Sequence, residues 1–284
     1  MKLFTIVLIG MLTLSVNSFA FDHHQDKAMP KLSVQLWSVK DQVKADFKGT
    51  LQQLADMGFE GVEFANEFGE FSGDAKAVRA VLDEIGLAGS GAHVSFEQLN
   101  DENFADTVTF YQTLGVDMLV VGWDERAWHP EGIKEIVALL NKLEKKLAPF
   151  GMKTGFHNHD HEFNAYEGTT YWDYLAQNTG QNVILQQDVG WTTYAGKDPI
   201  DYVKRYPGRT LTTHYKVRLP EGTQGKLPLI GQDTIDWLNL SKTNIAVGGT
   251  LWFVVEQEEY PNGLTPLQAV KVSKDGLTEI LKDL

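Results

Sequence analysis

The side chains with the most chemistry in this chain sit at the ends of short apolar runs. They fall in Val62-Glu63-Phe64, Ala92-His93-Val94, Phe156-His157-Asn158-His159-Asp160-His161-Glu162, Gln187-Asp188-Val189-Gly190-Trp191, His214-Tyr215-Lys216 and Val255-Glu256-Gln257-Glu258. Imidazole nitrogen and carboxylate oxygen without sulfur form a donor set suited to Mn²⁺, Zn²⁺, Co²⁺ or Fe²⁺ better than to Ca²⁺. The chain has no cysteine, which rules out thiolate metal sites and cysteine nucleophiles. Asp188, His214 and Glu256 close three consecutive apolar runs, so in a parallel sheet they would point at one place. A fourth ligand is expected from the His157–Glu162 segment, where His157, His159 and Glu162 all qualify. Strand alternation puts His157 and His159 on one face with Asn158 opposite.

A divalent ion beside a base suits proton abstraction next to a carbonyl, with Glu256, Glu162 or His159 moving the proton. Lys216, two residues after His214 and on the same face, can stabilise a developing oxyanion or hold a hydroxyl. Glu63 lies between two apolar neighbours, and an unpaired buried carboxylate is costly, which argues for a role in the site. Trp37, Trp123, Trp128, Trp191 and Tyr215 lie near the same ends and offer apolar faces for sugar rings. Hydroxyls are left to Gln35, Asn158 and Gln187, and His93 is a further candidate contact. His161 reads as an exposed loop residue.

These residues need elements that bring them to one point. Eight runs read as strands: Leu32–Val39, Gly61–Asn66, Leu87–Ser95, Met118–Trp123, Lys153–His159, Val183–Trp191, Thr210–Val217 and Leu251–Gln257. Between them lie segments of helical period, among them Phe47–Met57, Ala75–Ile85, Phe104–Leu114 and Pro130–Phe150. In the last, Leu139, Leu140, Leu143 and Leu147 form a stripe, with Lys142, Glu144, Lys145 and Lys146 on or beside the exposed face. Eight strand–helix units predict a parallel sheet closed into a single (β/α)₈ TIM barrel, whose catalytic groups sit at the C-terminal strand ends. An open doubly wound sheet would carry a glycine-rich turn after its first strand, and Val39-Lys40-Asp41-Gln42 has none. The long Leu219–Gly231 loop is a candidate lid.

Residues 1–20 read as a secretory signal, with Lys2, an apolar run from Leu3 to Leu14 and a small-residue stop at Ser18-Phe19-Ala20. That run is too short to cross a bilayer about 30 Å thick. Cleavage after Ala20 would leave an N-terminal segment, 21–30, and the barrel, 31–284, in a periplasmic or secreted protein not held in a membrane. The 38 acidic and 25 basic residues give a formal charge of −13, and the bases form no stripe, which argues against nucleic acid. No P-loop or dinucleotide-type phosphate cradle is present.

The chain resembles the xylose-isomerase-like TIM-barrel superfamily of sugar phosphate isomerases and epimerases, related to inosose dehydratases and endonuclease IV. The resemblance rests on Val34-Gln35-Leu36-Trp37-Ser38-Val39, Gly58-Phe59-Glu60-Gly61-Val62-Glu63, Gly155-Phe156-His157-Asn158-His159 through Glu162-Phe163, Asp188-Val189-Gly190-Trp191, His214-Tyr215-Lys216, Ile235-Asp236-Trp237 and Val254-Val255-Glu256-Gln257. It implies a divalent metal, Mn²⁺ first with Zn²⁺, Co²⁺, Fe²⁺ or Mg²⁺ as alternatives, held by His157, Asp188, His214 and Glu256. Gln35, Trp37, Glu63, His93, Asn158 and Trp191 are then candidate substrate contacts, and Glu162, His159, Lys216 and Glu256 candidate catalytic groups. Many members carry glutamate where His157 stands, histidine where Trp191 stands and aspartate where Val217 stands. The expected activity is isomerisation or epimerisation of an unphosphorylated sugar. The alternatives are lyase, dehydratase or keto-glycoside cleavage through the same enediolate, or a non-catalytic sugar-binding barrel. The acidic balance argues against endonuclease-like phosphodiester cleavage, and a homo-oligomer is compatible with the resemblance.

Overall fold

The computed structural model describes residues 28–284. The expected signal, 1–20, and most of the segment after it lie outside the described residues. Eight strands follow in order: β1 (Lys31–Gln35), β2 (Gly61–Phe64), β3 (Ala88–Val94), β4 (Met118–Val121), β5 (Lys153–His157), β6 (Ile184–Asp188), β7 (Thr212–Tyr215) and β8 (Trp252–Val255). Each is parallel to its neighbours, and β1 pairs with β8 from Lys31 opposite Trp252 to Val34 opposite Val255, closing the barrel. A two-residue hairpin, Ala165–Tyr166 with Thr169–Thr170, decorates the connection after β5. No helix among the described residues is long and apolar enough to cross a membrane.

Alternation along the strands separates two environments. Apart from Thr213, the outward residues of β7 and β8 are apolar or aromatic, and Tyr215 packs between Trp237 and Phe253 at ring-centroid distances of 5.1 and 4.5 Å. Full burial of a ring such as Phe253 stabilises the fold by roughly 2–3 kcal/mol. The inward residues are largely polar: Ser33 meets Ser90 at 2.5 Å, and Gln186 donates to Thr212. In the helix Gly132–Leu147 the buried stripe is Ile133, Ile136, Leu140, Leu143 and Leu147, while Leu139 is only half-buried. At Gly155 a Cβ would lie 2.4 Å from the Ile184 carbonyl oxygen, so β5 and β6 approach through a position that holds no side chain.

All eight strands end earlier than their apolar runs predict, and at β1 and β6, where the shortfall is greatest, side-chain capping explains it. The Gln35 carboxamide oxygen accepts from the Trp37 amide, turning Leu36–Val39 into a short 3₁₀ helix. The Asp188 carboxylate accepts from the Trp191 amide at 2.8 Å, so Val189–Tyr194 is helical instead of extended. The C-terminal end of the Leu219–Gly231 loop is fixed to the barrel: Leu229 and Ile230 are buried, and the Pro228 carbonyl accepts from Gln257.

Candidate metal centre and active-site cavity

At the C-terminal end of the barrel, β5 to β8 present His157, Asp188, His214 and Glu256. One ligand atom from each lies within 4.8 Å of all the others, and all four side chains are buried. His157 Nε2 stands 3.7 Å from Asp188 Oδ2, and His214 Nδ1 stands 2.9 Å from Glu256 Oε2. Asp188 divides its carboxylate: Oδ1 caps the following helix, while Oδ2 is buried and accepts no hydrogen bond. An orphaned carboxylate oxygen beside two imidazoles and a second carboxylate fits a divalent cation of the Mn²⁺ to Zn²⁺ range.

The remote sides of both imidazoles are held. Glu63 on β2 accepts from His214 Nε2 at 2.6 Å, from Gln35 at 2.7 Å and from Gln186 at 2.7 Å. The Gln186 carboxamide oxygen receives His157 Nδ1 at 3.1 Å and His93 Nε2 at 2.6 Å. Carboxylate and carboxamide acceptors of this kind fix the tautomer and aim of metal-binding histidines.

The charges are strongly coupled. Burial raises the Glu63 carboxyl, but His214 and His93 outweigh it and hold the group below its ordinary range. Burial opposes protonation of His214, yet Glu63 and Glu256 carry it up to about 10. Burial likewise raises Glu256, while Lys216 and His214 overcome this and keep it ionised. Asp188 is pushed up to about 7 by burial, partly offset by Lys216. Burial drives His157 well down, with His214 and His93 adding to the effect.

Above these residues opens a cavity of about 420 Å³, within the range of small-molecule sites. Trp37 and Trp123 stand on its rim, 46% and 55% exposed. His93, His157, His159, Lys216, Glu256 and Glu258 form its wall and floor. Lys216 Nζ lies 3.4 Å from Glu256 and 3.6 Å from Asp188, and pairs with Glu258. Burial works against its charge, but Glu256, Asp188 and Glu258 raise its pKa, so it remains an ammonium. His159 packs edge-on to Trp123 at 4.6 Å, and burial with Lys216 lowers it to about 3, leaving a neutral ring whose Nδ1 has no partner.

Several expected contacts fall elsewhere. Glu162 does not line the cavity: its Oε2 accepts from the His159 amide at 2.8 Å, and Oε1 is sealed away without a partner. Asn158 is 0% exposed, and its carboxamide accepts from the Asp188 amide and donates toward the Asp188 carbonyl and Thr192. Gln35 and Glu63 are buried and do not line the cavity: Glu63 bears on the histidines, and Gln35 on Glu63 and the Trp37 amide. Gln187 faces outward and donates to the Pro199 carbonyl. Tyr215 belongs to the outer core. Trp191 backs His159 and Lys216 at 5.5 and 5.1 Å without lining the cavity, and Trp128 packs behind Trp123. His161 is half exposed, as expected.

No protein-family model matches the chain. Over 81% of its length it is 24% identical to the rhizopine catabolism protein MocC of Rhizobium meliloti, covering 80% of that protein. Over 78% of its length it is 24% identical to an inosose dehydratase of Clostridium botulinum, covering 85% of that enzyme. Its fold matches that of a sugar phosphate isomerase/epimerase from Parabacteroides distasonis with a TM-score of 0.72 at 21% identity, spanning 88% of this chain and 96% of that one. The chain shares the closed (β/α)₈-barrel fold of that protein. Two residues of this site were not expected from the sequence. Gln186 joins Glu63, His93 and His157, and Glu258 holds Lys216 at the cavity edge. For Gln186 a signal existed: counting back by two from an inward Asp188 reaches Gln186, whereas Gln187 must face out.

Proposed function

We propose that this barrel is a metal-dependent enzyme that abstracts a proton next to the carbonyl of an unphosphorylated sugar, acting as an isomerase or epimerase. The observation that carries the reading is the convergence of His157, Asp188, His214 and Glu256 below a cavity walled by His159 and Lys216. The names of the relatives, a dehydratase and an isomerase/epimerase, support sugar chemistry of this class.

A divalent ion, with Mn²⁺ the first candidate, would be held by those four residues and would supply Lewis acidity to a substrate carbonyl, lowering the cost of an enediolate. His159, a neutral ring on the cavity wall, is a group placed to take the proton. Lys216 stays protonated, so it serves as a fixed positive charge beside the oxygen that becomes negative. Glu256 is held ionised by Lys216 and His214 and lines the same cavity. Glu162 acts at one remove, fixing the His159 backbone. Trp37 and Trp123 on the rim offer apolar faces to a sugar ring, and among the described residues no arginine lines the cavity to meet a phosphate.

Return of the proton to a neighbouring carbon gives an isomer. Loss of a β-substituent from the same enediolate gives elimination, the second reading, which the dehydratase relatives favour. Incubation of the Mn²⁺-loaded protein with free ketoses and 3-keto-glycosides in D₂O tests both, because solvent deuterium must appear in substrate or product. Its absence from both sinks the proton-abstraction reading. We also propose, from residues 1–20, that the protein is exported, and cell fractionation that finds it only in the cytoplasm would refute this.

A further inference from the structure

A second cavity of about 290 Å³ adjoins the first on the side of β1 and β8. It is lined by Ser38, Lys40, Gln42 and Tyr260, and it shares Trp37 and Glu258 with the metal-side cavity. A hexose ring displaces roughly six waters of about 30 Å³ each, so the space holds one ring with room for solvent.

Three features of its wall suit a neutral, hydroxyl-bearing ring. Trp37 and Tyr260 are both partly exposed, and the Tyr260 hydroxyl is tied to the Ser38 carbonyl at 3.1 Å, which holds the phenol in place. Gln42 lines the cavity, and its carboxamide oxygen, closed to solvent, has no hydrogen-bond partner and gains one from a hydroxyl only if the side chain turns toward the ring. The charges are Lys40 against Asp41 and Glu258, a balance that does not favour a phosphate or carboxylate group. Lys40 Nζ already lies 3.6 Å from the Trp37 ring centroid, where it steadies the indole.

We propose that this cavity is a binding site for a second ring, and that the substrate is a disaccharide or glycoside with one ring over the metal centre and the other between Trp37, Gln42 and Tyr260. The inference rests on the sugar-enzyme reading above and narrows its substrate class. The bond joining the rings then falls near Trp37 and Glu258, the two residues common to both cavities.

Isothermal titration of the Mn²⁺-loaded full chain tests it. The one-ring probes are D-glucose and 3-ketoglucose, and the two-ring probes are trehalose, cellobiose, phenyl β-D-glucoside and their 3-keto forms. At least one two-ring probe is expected to bind tenfold or more tightly than its one-ring counterpart. Gln42→Ala should remove most of that increment, and Asp41→Trp, at an exposed rim position, should block the cavity. Both variants should leave one-ring affinity within twofold and thermal unfolding unchanged. Equal affinity for both probe sets, or a parallel loss of both in the variants, overturns the second-ring site alone. Failure of every probe to bind sinks the carbohydrate reading and this inference with it.

Discussion

Glu162 offers a sharp test of the site's construction because its function is positional and its energetics are large. Its carboxyl is sealed under the His157–His159 segment, with one oxygen on the His159 amide and the other without a partner. Burial pushes it from an ordinary 4.5 up to about 8, against the amide hydrogen bonds that favour the ionised form. A raised carboxylate pKa means that the folded state holds its proton where the unfolded chain has released it, so stability falls as pH rises between the two values. One pKa unit is worth about 1.4 kcal/mol, so from pH 6 to pH 9 this group alone removes roughly 3 kcal/mol from the wild type. Glu162→Gln cannot ionise and should lack that loss. Urea unfolding of both proteins in EDTA at pH 6 and pH 9 measures the difference of differences, in which all shared titrations cancel. A variant whose stability falls with pH in parallel with the wild type would show that Glu162 ionises freely and that its burial is not as described.

Other consequences are equally direct. Removal of divalent ions by chelation, followed by Mn²⁺ at a hundredfold excess over its dissociation constant, should raise stability by about 2.7 kcal/mol. His214→Ala should show no such rise in differential scanning fluorimetry, and an equal rise in the variant would place the ion elsewhere. Glu63→Gln sets an amide among donors from Gln35, His214 and Gln186, and should cost roughly 3 kcal/mol in urea unfolding. It should also weaken Mn²⁺ binding by tenfold or more, and unchanged metal affinity would contradict its role in aiming His214. Gly155→Ala drives a methyl group against the Ile184 backbone and should cost about 1–3 kcal/mol without any local pH dependence. A neutral effect there would mean that β5 and β6 are less closely apposed.

The barrel was legible because its signals are periodic: apolar runs alternate with helical stripes, and a polar side chain closes most runs. The convergence of Asp188, His214 and Glu256 follows from the same regularity. Parity along a strand also separates Gln186 from Gln187 and His214 from Tyr215, once one inward residue is fixed. What periodicity does not carry is the destination of a hydrogen bond. Asn158, Gln35 and Glu162 have side chains as suited to a sugar hydroxyl as to a backbone amide, and the backbone claims each of them. The early ends of β1 and β6 have the same origin, since Gln35 and Asp188 cap the turns that follow.

Asp188 carries a consequence beyond the centre it belongs to. One of its oxygens begins a helix and the other faces the ion site, so a single short side chain is a hinge pin between scaffold and cargo. Asp188→Asn keeps an oxygen for the Trp191 amide and forfeits the anionic ligand, whereas Asp188→Ala forfeits both. Trp191, whose amide that oxygen holds, backs both His159 and Lys216. One carboxylate and one indole thus connect the candidate ion site to the packing of two residues that line the cavity.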